Sequence, residues 1–166
     1  MSNDYASLTL LMPAGQIPDP LASLEDLAPH CTSNEALAWI SRRDWMSWAI
    51  ELCIASYAKP GLSYLVAPAA VLQPREATAA AQELESLLDM IAKDPRSLAR
   101  HLQQDGWTEE ELLAVVKTPV GPWGPLRESD EGDDLPYLLS YLCAHLALLK
   151  HASTTKLCVV FARTSD

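Results

Sequence analysis

The sequence is short of positive charge: 12 Lys and Arg residues stand against 22 Asp and Glu, for a formal net charge of −10. Binding along a nucleic acid needs a surplus of basic side chains to neutralise phosphates, so no direct nucleic-acid partner is expected. The glycine patterns that cradle phosphates are lacking too, both the P-loop and the dinucleotide fingerprint. The nearest approach to a nucleophile elbow, Gly61-Leu62-Ser63, lacks the second glycine of G-x-S-x-G. The opening stretch MSNDYASLTLLMPAG has neither a basic start nor a long apolar core, which predicts no secretory signal. The longest nearly uncharged run, Leu135 to Leu149, is shorter than the ~20 residues a membrane-spanning helix needs. Together these absences predict a cytoplasmic protein without a membrane partner.

Cysteine is sparse, at positions 31, 53, 143 and 158. Cys53 and Cys143 sit in strongly apolar helical runs, where a cysteine acts as a small hydrophobe, so reduced thiols are expected rather than disulfides. Neither the Cys143/His145 spacing nor the adjacent His30 and Cys31 resembles the ligand pairs of a zinc site. No metal and no cofactor is expected.

What is present is a chain of 166 residues, 49% hydrophobic and 20% charged, with a single phenylalanine, Phe161. That length suits one globular domain over residues 1–166, and the wealth of alanine and leucine suits a helix-rich fold. YASLTLLM, Tyr5 to Met12, closes at Pro13 and Gly15 and reads as a strand. KLCVVFAR, Lys156 to Arg163, is the most β-prone stretch and predicts its partner at the other end of the chain. Between them, Ser23 and Asp26 predict a short capped helix over Leu24 to Ala28. Ser33 or Asn34 predicts the cap of a long central helix, Glu35 to Ala58, stopped by Lys59-Pro60-Gly61. Leu62 to Val66 fits either a short strand or the approach to a loop. Pro74 at a first helical position precedes an amphipathic helix over Glu76 to Ala92, and Pro95 opens a short one to about Gln104. Thr108 and Glu111 form a capping box for Glu109 to Lys117, and a final apolar helix runs from Leu135 to about Ser153. The predicted class is α+β and predominantly helical: a compact helical domain with short strands at its N- and C-terminal ends.

RESDEGDDLPYLLSYL places five carboxylates in seven positions: Glu128, Asp130, Glu131, Asp133 and Asp134. As a calcium loop starting at Asp130 it fails, because Leu135 and Tyr141 stand where glycine and a bidentate glutamate belong. As catalytic carboxylates they lack an evident means of separating their acidities. Asp133 and Asp134 precede Pro136, where negative charge meets the positive end of a helix dipole. Glu128, Asp130 and Glu131 have no such structural use, and like charges this close favour a partner that neutralises them. Of five tryptophans, Trp39, Trp45 and Trp48 are expected on the long helix, at least two of them in the core. Trp107 and Trp123 stand at Gly/Pro breaks, each ahead of carboxylates, Glu109, Glu110 and Glu111 after the first and the acidic run after the second. An aromatic anchor with a charged rim is the pattern of an interface hot spot. The expected function is binding and inhibition of a basic partner protein through these residues. Two alternatives remain at this stage: a small enzyme built on His101, His145 and the thiols, or an acidic mimic of nucleic acid.

A small acidic protein with apolar helices, an acidic loop and no catalytic signature resembles the immunity proteins that bacteria make against their own or their neighbours' toxins. That resemblance implies binding and blocking of a cognate toxin, often a basic one, without catalysis. The closing stretch DLPYLLSYLCAHLALLKHASTTKLCVVF resembles the last helix and strand of the uncharacterised bacterial YfbM-like proteins, which implies an α+β fold. Neither resemblance assigns a role to a residue.

Overall fold

The computed structural model describes residues 5–31, 35–41, 45–104, 106–117 and 134–164. Its centre is the pairing of the first strand, β1 (Tyr5–Met12), with the last, β4 (Cys158–Arg163). The two run antiparallel with Leu10 opposite Val160 and Thr9 opposite Phe161. A second strand, β2 (Glu35–Ser41), pairs with the free side of β1, and a third, β3 (Ala69–Leu72), with the free side of β4. The sheet order is β2-β1-β4-β3, antiparallel throughout. The fold is α+β and mostly helical.

Successive strand side chains point to opposite faces, so each strand supplies two layers. Leu8, Leu10 and Met12 of β1 join Cys158, Val160 and Ala162 of β4 on one face. That face is closed by Leu27 of a single-turn helix, α1 (Leu24–Leu27), with Ile17, Leu21 and Leu24 around it. The opposite face, carrying Leu11, Val159 and Phe161, meets the main helical layer. Because both faces are covered, β4 reads as a nearly continuous apolar run, while β1 buries Ser7 and Thr9 among its apolar residues.

The helical layer consists of α2 (Trp45–Ser56), α3 (Pro74–Lys93), α4 (Pro95–His101), α5 (Glu109–Lys117) and α6 (Leu135–Thr155). Helix starts follow the capping chemistry visible in the sequence. The Asp26 carboxylate accepts the Ser23 N–H at 3.2 Å, and Glu76 accepts the Gln73 N–H at 3.0 Å. Thr108 Oγ1 accepts the Glu111 N–H at 3.1 Å while the Glu111 carboxylate accepts the Thr108 N–H at 3.2 Å. Each satisfies backbone donors that a helix start leaves without partners. The segment open between strand and loop, Leu62 to Val66, belongs to a 3-10 stretch, Pro60–Val66. Among the described residues no helix is long and apolar enough to cross a membrane.

The long helix expected over Glu35 to Ala58 is two elements. EALAWIS is composed of good helix formers as well as Trp and Ile, yet it forms β2, because pairing along β1 satisfies its backbone in a way local propensity does not register. Only Trp45–Ser56 is helical. Trp39 therefore lies on β2, apart from Trp45 and Trp48 on α2. Nor is α2 the central helix: Met46, Ala49, Ile50 and Cys53 are buried, whereas Trp48 is 43% exposed, its ring 6.4 Å from that of Trp45. The centre belongs to α6, with buried residues around most of its circumference from Leu135 to Ala152.

Phe161 is fully buried between the sheet and the helices. Phe161→Ala is expected to lower unfolding free energy by about 3–5 kcal/mol. Met90→Ala, at an exposed position on α3, is expected to stay within about 0.5 kcal/mol. Urea denaturation of both variants checks the placement of the core.

Candidate functional site

Within the acidic run, Glu128, Asp130, Glu131 and Asp133 lie outside the described residues, as does Trp123. Asp134 is described, and it is a helix cap: its carboxylate accepts the Tyr137 N–H at 2.8 Å at the start of α6. The charge also sits at the positive end of the helix dipole, as the position before Pro136 suggests. The Leu135 N–H beside it donates to Gln104 Oε1 at 2.7 Å, which ties the segment after α4 to the start of α6.

Glu109, Glu110 and Glu111 form the first turn of α5 and are all exposed. Glu111 is committed to the capping box with Thr108, whereas Glu109 and Glu110 border a shallow depression with Leu113, Ala114 and Lys117. Farther along, the Cys143 thiol lies 3.9 Å from the Val116 carbonyl. The contacts Gln104 with Leu135 and Val116 with Cys143 advance in the same direction along both segments. The chain on either side of the first turn of α5 is thus tied to α6, before it at Leu135 and after it at Cys143.

Trp107 is half-buried and packs against the main core. Its accessible side shares a groove with Arg96, Ala99, Arg100 and Thr108. The tryptophan therefore has carboxylates after it in the chain and guanidinium groups beside it in space. Sequence reasoning passed over Arg96 and Arg100, four residues apart on the short helix PRSLARH. That spacing, which puts two side chains on one helix face, was the available signal.

The groups that would serve a small enzyme are not assembled in a cleft. His101 is exposed in the last turn of α4, while His145 is fully buried on α6. His145 Nδ1 lies 3.4 Å from the Tyr64 hydroxyl, and its ring packs 4.5 Å from that of Tyr141 and 6.4 Å from that of Phe161. Burial disfavours the charged imidazolium and pushes its pKa down to about 3. Burial also raises the Cys53 thiol to about 12 and the Cys143 thiol to about 11, far from the thiolate form a nucleophile needs. All four cysteines are unpaired. Among the described residues no group of three or more His, Cys, Asp or Glu side chains is placed to hold a metal ion.

No protein-family model, no curated protein and no solved structure matches the chain.

Removing the cap with Asp134→Ala is expected to cost about 1 kcal/mol of stability. The pair Glu109→Gln and Glu110→Gln, exposed and outside the capping box, is expected to change it by less than about 0.5 kcal/mol per site. Thermal and urea unfolding separate the structural carboxylate from the surface ones. A second expectation concerns acid. An unfolded histidine takes up a proton near its ordinary pKa, whereas folded His145 resists protonation until about 3. Its stabilising contribution is therefore complete above about pH 6.5 and is lost as pH falls from there toward 3, by up to ~1.4 kcal/mol per pH unit. Between pH 6.5 and 5, above the ordinary carboxylate range, His145→Phe should flatten the decline in unfolding free energy. An unchanged slope would contradict the buried neutral histidine.

Proposed function

We propose that the chain is a non-catalytic, immunity-type binding protein that holds and blocks a basic partner protein, such as a toxin, through a carboxylate face. Support for this reading comes from exposed Glu109 and Glu110 in the first turn of α5, on a stretch of chain tied to α6 at Leu135, the residue after Asp134. The acidic run adds Glu128, Asp130, Glu131 and Asp133, with Trp123 five residues before it as an aromatic anchor and Trp107 at the border of the face. Opposite charge on a partner would speed encounter and fix orientation, and aromatic burial would supply affinity. The sealed position of His145 and the raised thiol pKa values favour binding over catalysis.

The test is capture of basic proteins from source-cell lysate at low and high salt, comparing the natural chain with E109Q/E110Q/E128Q/E131Q. The expected result is one basic protein recovered in near-equal amount and released by salt. Its dissociation constant should rise at least about tenfold in the variant at low salt, with the melting temperature almost unchanged. Equal affinity of the natural and variant chains for the captured protein would overturn the assignment of these carboxylates.

A further inference from the structure

The groove between α4 and α5 carries the opposite charge from the face just described. Arg96 and Arg100 are exposed, one helical turn apart on α4, and open onto the half-buried indole of Trp107, with Ala99 and Thr108 completing the lining. The cleft has a volume of about 360 Å³, within the range of small-molecule sites. In a protein with 22 acidic and 12 basic side chains, an arginine has many carboxylates to choose from. Among the described residues, neither Arg96 nor Arg100 takes one, although Lys150 does so with Glu85 at 3.3 Å. Three glutamates begin α5 directly after Thr108, yet Glu111 is turned back onto its own capping box.

We propose that this groove is a binding site for a small molecule in which a flat ring is joined to a phosphate monoester, the ring resting on Trp107 and the phosphate held by Arg96 and Arg100. The match is one of charge and shape. Two guanidinium groups present planar forks of N–H donors whose combined charge matches a phosphate dianion, where a carboxylate supplies a single negative charge. The indole packs against the main core and also lines the groove, and an aromatic side chain in that position can receive a flat ring. Thr108 is pinned by Glu111, with its hydroxyl 2.9 Å from the carboxylate, so the rim is held by helix-capping geometry. The overall negative charge repels anions at long range, but screening confines that effect to roughly 8 Å at physiological ionic strength; nearer by, the arginines line the groove itself, while Glu109 and Glu110 line a separate depression with Leu113, Ala114 and Lys117. This site shares Trp107 with the carboxylate face and otherwise uses none of the residues assigned there, so the arginine variants separate the two readings.

Isothermal titration calorimetry of the full chain with phenyl phosphate, inorganic phosphate, benzoate and adenosine monophosphate tests the proposal. Saturable one-to-one binding of phenyl phosphate or the nucleotide is expected, weakened at least about tenfold by Arg96→Ala and by Arg100→Ala. Both arginines are exposed, so these variants should melt with the natural chain. Trp107→Leu should weaken the ring-bearing ligands while leaving inorganic phosphate unaffected; if it fails to fold, the comparison of phenyl phosphate with inorganic phosphate carries the same information. Equal affinity for phosphate with and without the ring would overturn the role of Trp107. Benzoate binding as tightly as phenyl phosphate would overturn the choice of a phosphate. No saturable binding by any probe in the millimolar range would overturn the site.

Discussion

Backbone pairing between β1 and β4 brings the two ends of the chain side by side, and the remaining layers depend on it. Each strand in this pair has one edge left over, which recruits β2 on one side and β3 on the other. Each also presents two faces, and both are buried, so material is needed above and below. The long helices fill one side and the small cap around Leu27 the other. Joining chain ends across the whole sequence carries a loop-closure entropy that grows only slowly with length. Continuous burial of Leu10, Leu11, Val159, Val160 and Phe161, none more than 1% exposed, readily offsets it.

Where β1 meets α6, the core departs from pure hydrocarbon. Ser7 and Thr9 face the helices, and the Ser7 hydroxyl lies 3.2 Å from that of Tyr141. One turn farther along α6, His145 meets Tyr64 from the 3-10 stretch. The Ser7–Tyr141 and Tyr64–His145 contacts satisfy part of this polar layer, whereas Thr9 Oγ1 and His145 Nε2 are buried without a hydrogen-bond partner among the described residues. The same burial that keeps His145 neutral removes it from use as a proton carrier near neutral pH. Structure and chemistry are thus linked: the histidine most conspicuous by its surroundings serves packing.

The surface divides its charge at Trp107. Carboxylates follow it along α5, and arginines precede it on α4. A chain with strong net negative charge can still hold a compact cationic spot because screening makes local groups decide what binds at contact.

Composition and short-range patterns determined a good deal. The terminal strands, the amphipathic helix around Leu84 and Leu88, the Thr108–Glu111 capping box and the helix after Pro136 are local features, set by side-chain period and by nearest-neighbour hydrogen bonds. The charge excess and the exposed glutamates of α5 were equally legible. Tertiary structure decided the rest. EALAWIS became a strand because β1 offered an unpaired edge, Trp48 faced outward because only one side of α2 met the core, and β3 formed against β4 despite a short and weakly marked sequence. Arg96, Arg100 and Trp107 became one groove only when α4 and α5 packed against each other. Pairing edges, buried faces and grooves are relations between segments distant in sequence, and no periodicity within a single segment can encode them.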